Sequence, residues 1–447
     1  MNKKETSFYL AALVIGFALS CLYAAQQILT GDQLQMIAKG YLGAHHGVWL
    51  SYGNAASAMG NVPGSLSAWL VGGPLLLWDS PYAPMLLLLV LKLISFLLFD
   101  DVIRREFGPR GRLLFMVLYW LNPWFLYESI LYNPAYLFFA AALHFWSAYR
   151  MRAQPSFICS LLHVVSIGFA MQLHYSWPLL AVISGCLFWR KLMRLNGWGV
   201  MAGVLLLAAS LIPYLHEVFN QPQLARADAD TSDRYIGWGL LHVYPLLKSL
   251  IYWLRYGSWI FSTKLINGTT FDWLGSAVWL QQTAVWIWRC VVYLAGAGSL
   301  VLTLLANRYV WRLVRPHLSW RWASQPSAVT SQVWLGLYVA SAVVAILVCA
   351  ALAPIVFSYW HLMLVFPFAL LPLMLFSHTW LERAAPQFMR YLAAASIFCL
   401  LVNLVAANDS RKFSYQADYA AQTQAWVSSM TPQDARSRAL TQSSEGE

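Results

Sequence analysis

Residues 8–41 read FYLAALVIGFALSCLYAAQQILTGDQLQMIAKGY, and the change of character inside this stretch decides the fold. From Phe8 to Leu29 the chain carries no charge, and about 22 apolar residues in a helix are long enough to cross the ~30 Å hydrocarbon core of a bilayer. Lys3 and Lys4 precede the run, as in a signal peptide. The run is too long for a signal's apolar core, however, and Ala18-Leu19-Ser20-Cys21 is a poor lipoprotein box, so a retained first transmembrane helix is expected. From Thr30 the sequence turns polar and sets a carboxylate, Asp32, just beyond the membrane at the start of a second helix.

Working outward, the same apolar pattern recurs along the whole chain. Of its 447 residues 60% are hydrophobic and only 11% charged, whereas a soluble protein is about 45–50% apolar even with glycine counted. This excludes a soluble enzyme of several domains. Further apolar runs lie near 83–100, 113–128, 133–149, 157–173, 175–189, 198–214, 279–306, 332–354, 361–377 and 390–407. The expectation is an all-α polytopic membrane protein with about 11 transmembrane helices. The six cysteines all fall in apolar runs, without CxxC pairs or Cys/His clusters, and read as small buried hydrophobes.

The net charge of +11 would suggest nucleic acid in a soluble chain. Here it reports topology. Lys3, Lys4, Arg104, Arg105, Arg110, Arg112, Arg150, Arg152, Arg190, Lys191, Arg194, Arg308, Arg312, Arg315, Arg321, Arg383 and Arg390 all fall on one side if every run crosses. By the positive-inside rule that side is cytoplasmic, with the N-terminus inside. The implied location is a bacterial inner membrane, and no nucleic-acid partner is expected.

The other side carries longer segments, the outer loops 30–82 and 215–278. The division is a membrane domain over 1–407 and a polar outer tail over 408–447, expected to fray or pack loosely. Ser65 to Trp78 is too short to cross and reads as a re-entrant or interfacial helix. Leu240 to Phe261 is long enough, but Lys248 and Arg255 on one face would sit near mid-bilayer. It reads as an interfacial amphipathic helix, with Trp253 and Trp259 at headgroup level.

Asp32 opens a helix, so it reads as an N-cap or as a functional carboxylate. The following segments bear on the choice. They are Asn61-Val62-Pro63-Gly64-Ser65-Leu66, a helix closing in Arg104-Arg105-Glu106-Phe107-Gly108, then Leu121-Asn122-Pro123-Trp124 and Asn133-Pro134-Ala135-Tyr136. In this order residues 8–150 resemble the GT-C membrane glycosyltransferases, in the branch of protein O-mannosyltransferases and lipid A aminoarabinose transferases. More loosely, Tyr359-Trp360-His361 with Phe366-Pro367 resembles that branch's late Arg-Tyr…Pro helix start. Two departures stand out. Asn133-Pro134 replaces the family's Pro-Asp, leaving Glu128 as a candidate second acid, and Trp360-His361 replaces the late Arg-Tyr pair.

The resemblance implies that Asp32 is the catalytic base. Transfer from a polyprenyl-phosphate donor needs a base for the acceptor hydroxyl, while the departing phosphate needs cations more than an acid. Candidates to hold the phosphate or substrate are Lys248, Arg255, Lys264, Arg289, His361 and His174, with Tyr359 and Tyr175 beside the histidines. A divalent metal is left open and no cofactor is assigned. The expected partners are a polyprenyl-phosphate sugar donor, membrane lipids, and a glycan, lipid or protein acceptor. The expected reaction is inverting sugar transfer at the outer (periplasmic) face. The alternatives are a transporter or flippase of lipid-linked substrates, though no internal repeat is visible, and a polysaccharide polymerase or ligase using Arg226, Arg234 and Arg255.

Overall fold

The computed structural model describes residues 2–56, 60–225, 243–266, 269–318, 329–353, 355–383, 385–406, 410 and 412–430. The first helix, α1 (Lys3–Ala25), is closed by a reciprocal cap: Asn2 accepts from the Glu5 N–H, and Glu5 accepts from the Asn2 N–H. Six helices among the described residues are long and apolar enough to cross a membrane: Lys3–Ala25, Gly197–Asn220, Val278–His317, Ser331–Leu352, Tyr359–His378 and Gln387–Val405. Leu66–Leu77, Phe157–Met171 and Pro178–Trp189 are apolar but shorter.

Between α1 and the rest of the bundle lie α2 (Gly31–His46), an antiparallel hairpin of β1 (Tyr52–Ala56) and β2 (Gly60–Pro63), and α3 (Leu66–Leu77). The stretch expected to be interfacial at 65–78 is thus a short helix, and it packs on α2. The contact is close because both helices present glycine: a Cβ on Gly40 would lie 2.3 Å from Val71, and one on Gly72 would lie 2.6 Å from the Gly40 carbonyl oxygen.

Next come α4 (Tyr82–Phe115), α5 (Pro123–Tyr127), α6 (Leu137–Arg150), α7 (Phe157–Met171), α8 (Pro178–Trp189) and α9 (Gly197–Asn220). Gly108, at φ +65°, makes the expected turn inside α4. The run expected to cross at 113–128 is not one helix. It passes through a π-turn at Met116–Trp120 and breaks at Asn122, whose side chain caps α5 by accepting from the Trp124 N–H. The run expected at 133–149 opens as a 3₁₀ turn over Asn133–Tyr136 before α6 begins.

After a gap come α10 (Val243–Tyr256), a 3₁₀ turn over Trp259–Lys264, α11 (Val278–Val314), α12 (Ser331–Leu352), a 3₁₀ turn over Tyr359–Val365, α13 (Phe366–Arg383), α14 (Ala385–Ala406) and α15 (Tyr419–Ser428). Helix α10 packs its tryptophan inside the protein. Trp253 is buried and donates to Asn307 Oδ1 on α11 at 2.9 Å; Trp259 is half-buried and packs on Phe398. The tail does not fray over its described part either. Gln27 and Phe413 bridge, and the Ile28 N–H donates to the Lys412 carbonyl at 3.0 Å, strapping residues 412–414 across the end of α1.

The bundle core is aromatic, with Phe145 and Phe368 in ring contact with each other and each with Phe99 and Tyr338. Beside it a buried polar clasp joins four helices. His144 of α6 hydrogen-bonds Tyr338 of α12 and Ser184 of α8 at 2.8 Å each, and His163 of α7 reaches Ser184 at 2.9 Å. In an apolar surround each of these groups would otherwise be left unsatisfied.

Candidate active site

Asp32 is free of the capping duty its position suggested. Thr30 is the N-cap of α2, and Gln33 completes the box by accepting from the Thr30 N–H at 2.9 Å. Among the described residues the Asp32 carboxylate has no hydrogen-bond or ion-pair partner; its backbone carbonyl accepts from Asn54 Nδ2 at 2.9 Å. The side chain is exposed, with neighbouring protein crowding it. Burial pushes its carboxyl above the usual aspartate value, opposed by Lys412 and then Lys39.

A second strand of contacts fixes Asp32 relative to the α5 loop. Gln33 Nε2 donates to Gln27 Oε1 at 2.7 Å, and the same oxygen accepts from the Leu131 N–H at 2.7 Å. Glu128 lies three residues before Leu131, fully buried at the C-terminus of α5. It accepts from the Tyr132 hydroxyl, while its Oε1 has no hydrogen-bond partner among the described residues. Burial raises its carboxyl; Lys412, the Tyr132 hydrogen bond, Lys92 and Lys264 pull it back. Lys92, deep in α4 and without an evident partner in the sequence, donates to the Phe125 carbonyl and to Ser129 Oγ at 2.5 Å each, pinning the segment that carries Glu128.

Around Glu128 the structure gathers cations. Lys264, at the end of the 3₁₀ turn after α10, stands 4.1 Å over the Tyr359 ring, and Lys412 stands 4.0 Å over Tyr132 and 5.7 Å from Tyr359. Arg255 faces the Phe261 ring at 5.1 Å, and so does Lys264. Burial, Arg255, Lys412 and Lys248 together pull the Lys264 ammonium down to about 8, with Glu128 opposing. Among the described residues Lys248, Arg255 and Lys264 form no ion pair, so the cluster is short of negative charge and suited to an anion.

The histidines and tyrosines expected from the sequence line the same end. The His174 and His361 rings are 5.5 Å apart. His174 bonds Ser176 at 2.8 Å, and burial lowers its pKa to about 4, so it is neutral. His361 accepts from the Ser358 N–H at 2.8 Å and caps its own 3₁₀ turn. Tyr175 donates to the Asn61 carbonyl of the hairpin at 2.8 Å, and the Tyr359 carbonyl accepts from Tyr256.

One candidate stands apart. Arg289 is half-buried on α11 between the exposed Ile287 and Cys290, and among the described residues it makes no hydrogen bond or ion pair with the cluster. Arg226 and Arg234 lie outside the described residues. Lys39 and Lys412 are the site residues the sequence did not single out. Among the described residues no three His, Cys, Asp or Glu side chains come together as a metal set. A cleft of about 520 Å³ at Gly108, lined by Glu5, Glu106, Arg110 and His378, contains none of the expected site residues.

This helical bundle, with a helix, a hairpin and a second helix following its first apolar helix, has a fold already seen in solved structures. The solved structures that show it are of ArnT from Cupriavidus metallidurans. The one bound to undecaprenyl phosphate matches at 13% identity over 99% of this chain and 75% of that chain, with a TM-score of 0.50. The apo structure gives 12% identity over 99% and 77%, with a TM-score of 0.49. At such identities the likeness is one of fold. No family model matches the chain, and no curated protein does.

Proposed function

We propose that this protein is an inverting glycosyltransferase that moves a sugar from a polyprenyl-phosphate carrier to a hydroxyl of a glycan, lipid or protein at the outer, periplasmic face of the inner membrane. The observation that carries the reading is one exposed carboxylate, Asp32, beside Lys412, whose ammonium shares the Tyr359 ring with Lys264, which in turn shares the Phe261 ring with Arg255. Asp32 takes the acceptor proton as the hydroxyl oxygen bonds to the anomeric carbon. The bond from that carbon to the phosphate oxygen breaks on the opposite face, and the electron pair leaves with the phosphate. The cations hold the phosphate charge and stabilise it as it grows. A carrier phosphate also suits the fold, since a solved ArnT structure holds undecaprenyl phosphate. The exposed apolar side of α10, with Val243, Leu247 and Ile251, offers a polyprenyl chain a path to lipid.

The test is Asp32→Asn as the sole copy in the cell, with mass spectrometry of envelope glycans and lipids. The expected result is loss of one sugar modification at normal protein level; full retention refutes Asp32 as the base. The same spectra of a deletion strain identify the sugar and acceptor.

A further inference from the structure

Lys39 is absent from the machinery described so far, yet it is fully buried on α2 and its Nζ has no hydrogen-bond partner among the described residues. It follows Asp32 by seven residues, two helical turns, so the two share a face. Helical side chains lean back toward the N-terminus, which carries the Lys39 ammonium toward Asp32. The Tyr52 ring of β1 lies 5.8 Å from its Nζ. An ammonium buried with so little around it is costly and needs a reason.

The elements packed against α2 offer few charges to answer it. Helix α3 has no ionisable side chain; β1 brings Tyr52, the 133–136 turn Tyr136, and α15 Tyr419. None of these is a carboxylate. Burial lowers the Lys39 ammonium to about 7, and the charge that pulls it back up is Asp32.

Two cations act on Asp32, Lys412 and Lys39, and they differ in one respect. Lys412 also acts on Glu128 and Lys264, so it belongs to the cluster that faces the phosphate. Lys39 is not among the charges that act most on either of those groups. A phosphate seated on the cluster offsets the charge of Lys412, adds negative charge beside Asp32, and so drives a proton onto the base when it must be ionised. The same phosphate favours the protonated form of Lys39.

We propose that Lys39 is a positioning residue that keeps Asp32 ionised once the carrier phosphate is bound, from a place the phosphate does not reach. The inference rests on the lipid-carrier reading above. Its test is an infrared titration of the full-length protein in nanodiscs, following the carboxyl band that Asp32→Asn removes, with and without undecaprenyl phosphate. In the wild type the midpoint moves little when undecaprenyl phosphate binds. In Lys39→Met it is raised by about one pH unit, and more with the phosphate than without; Lys39→Arg follows the wild type. Should Lys39→Met not fold, Lys39→Gln serves the same comparison. Phosphate-bound Lys39→Met titrating like the wild type overturns the inference, as does equal loss of thermal stability in the Met, Gln and Arg variants with no shift. Failure of undecaprenyl phosphate to bind the wild type instead refutes the carrier reading, and the inference with it.

Discussion

Lys412→Met isolates the cation that touches both halves of the site. The backbone strap survives the change, because the Ile28 hydrogen bond and the Gln27–Phe413 bridge use main-chain atoms. What is lost is a half-buried ammonium 4.0 Å over the Tyr132 ring and acting on both Asp32 and Glu128. A hydrogen bond to a charged group is worth about 1.5–3 kcal/mol. Because Lys412 is only half-buried, the low end applies, and about 1.5 kcal/mol corresponds to about tenfold in Kd. The expected outcome is tenfold weaker binding of undecaprenyl phosphate to protein in nanodiscs, restored by Lys412→Arg. Removing a cation beside Asp32 also raises its pKa, so the acidic limb of transfer activity moves to higher pH. An affinity within twofold of the wild type would refute the placement of Lys412 in the phosphate site.

Other outcomes follow from the same geometry. Gly40→Ala drives a methyl to 2.3 Å from Val71, and overpacking of this kind costs about 1–3 kcal/mol; thermal unfolding in detergent should fall accordingly, and an unchanged midpoint would contradict the α2–α3 contact. Lys264 titrates at about 8 and holds its proton below that value. Phosphate affinity therefore weakens as pH rises through about 8, and Lys264→Arg removes that limb; a pH-independent affinity in the wild type would count against Lys264 as a ligand.

The sequence was most legible where the signal is local. An apolar run of spanning length can be read in place, and so can a charge inside such a run, which is how Lys248 and Arg255 came to notice. Asp32 was legible for a different reason: it is the first carboxylate past the first span. The breaks at 116–122 were hidden because apolar character continues through them, while the cause, a π-turn and the Asn122 cap, lies in backbone geometry. Lys39 looked like an ordinary helix charge, since its burial is made by the hairpin and by α3 packing through Gly40 and Gly72. Lys412 sits in a polar tail whose partner, the end of α1, lies at the other end of the chain, and no local pattern announces such a strap. Arg289 was noticed as a charge in an apolar helix, and among the described residues no hydrogen bond or ion pair links it to the cluster.

Glu128 poses the remaining question of role. A proton carrier needs access to the reacting oxygen, but Glu128 is fully buried, holds the Tyr132 hydroxyl, and is enclosed by Lys92, Lys264 and Lys412. That setting fits a counter-charge, which allows like-charged side chains to stand together before the phosphate arrives. The two roles predict opposite results for Glu128→Gln, which keeps the shape and removes the charge. As a counter-charge, its loss leaves the cations unbalanced: the empty protein becomes less stable, while an incoming phosphate no longer meets a competing carboxylate and binds more tightly. As a general acid or base, its loss abolishes transfer with phosphate affinity unchanged. Thermal unfolding without ligand and titration with undecaprenyl phosphate separate the two, and unchanged affinity with abolished turnover would refute the counter-charge assignment.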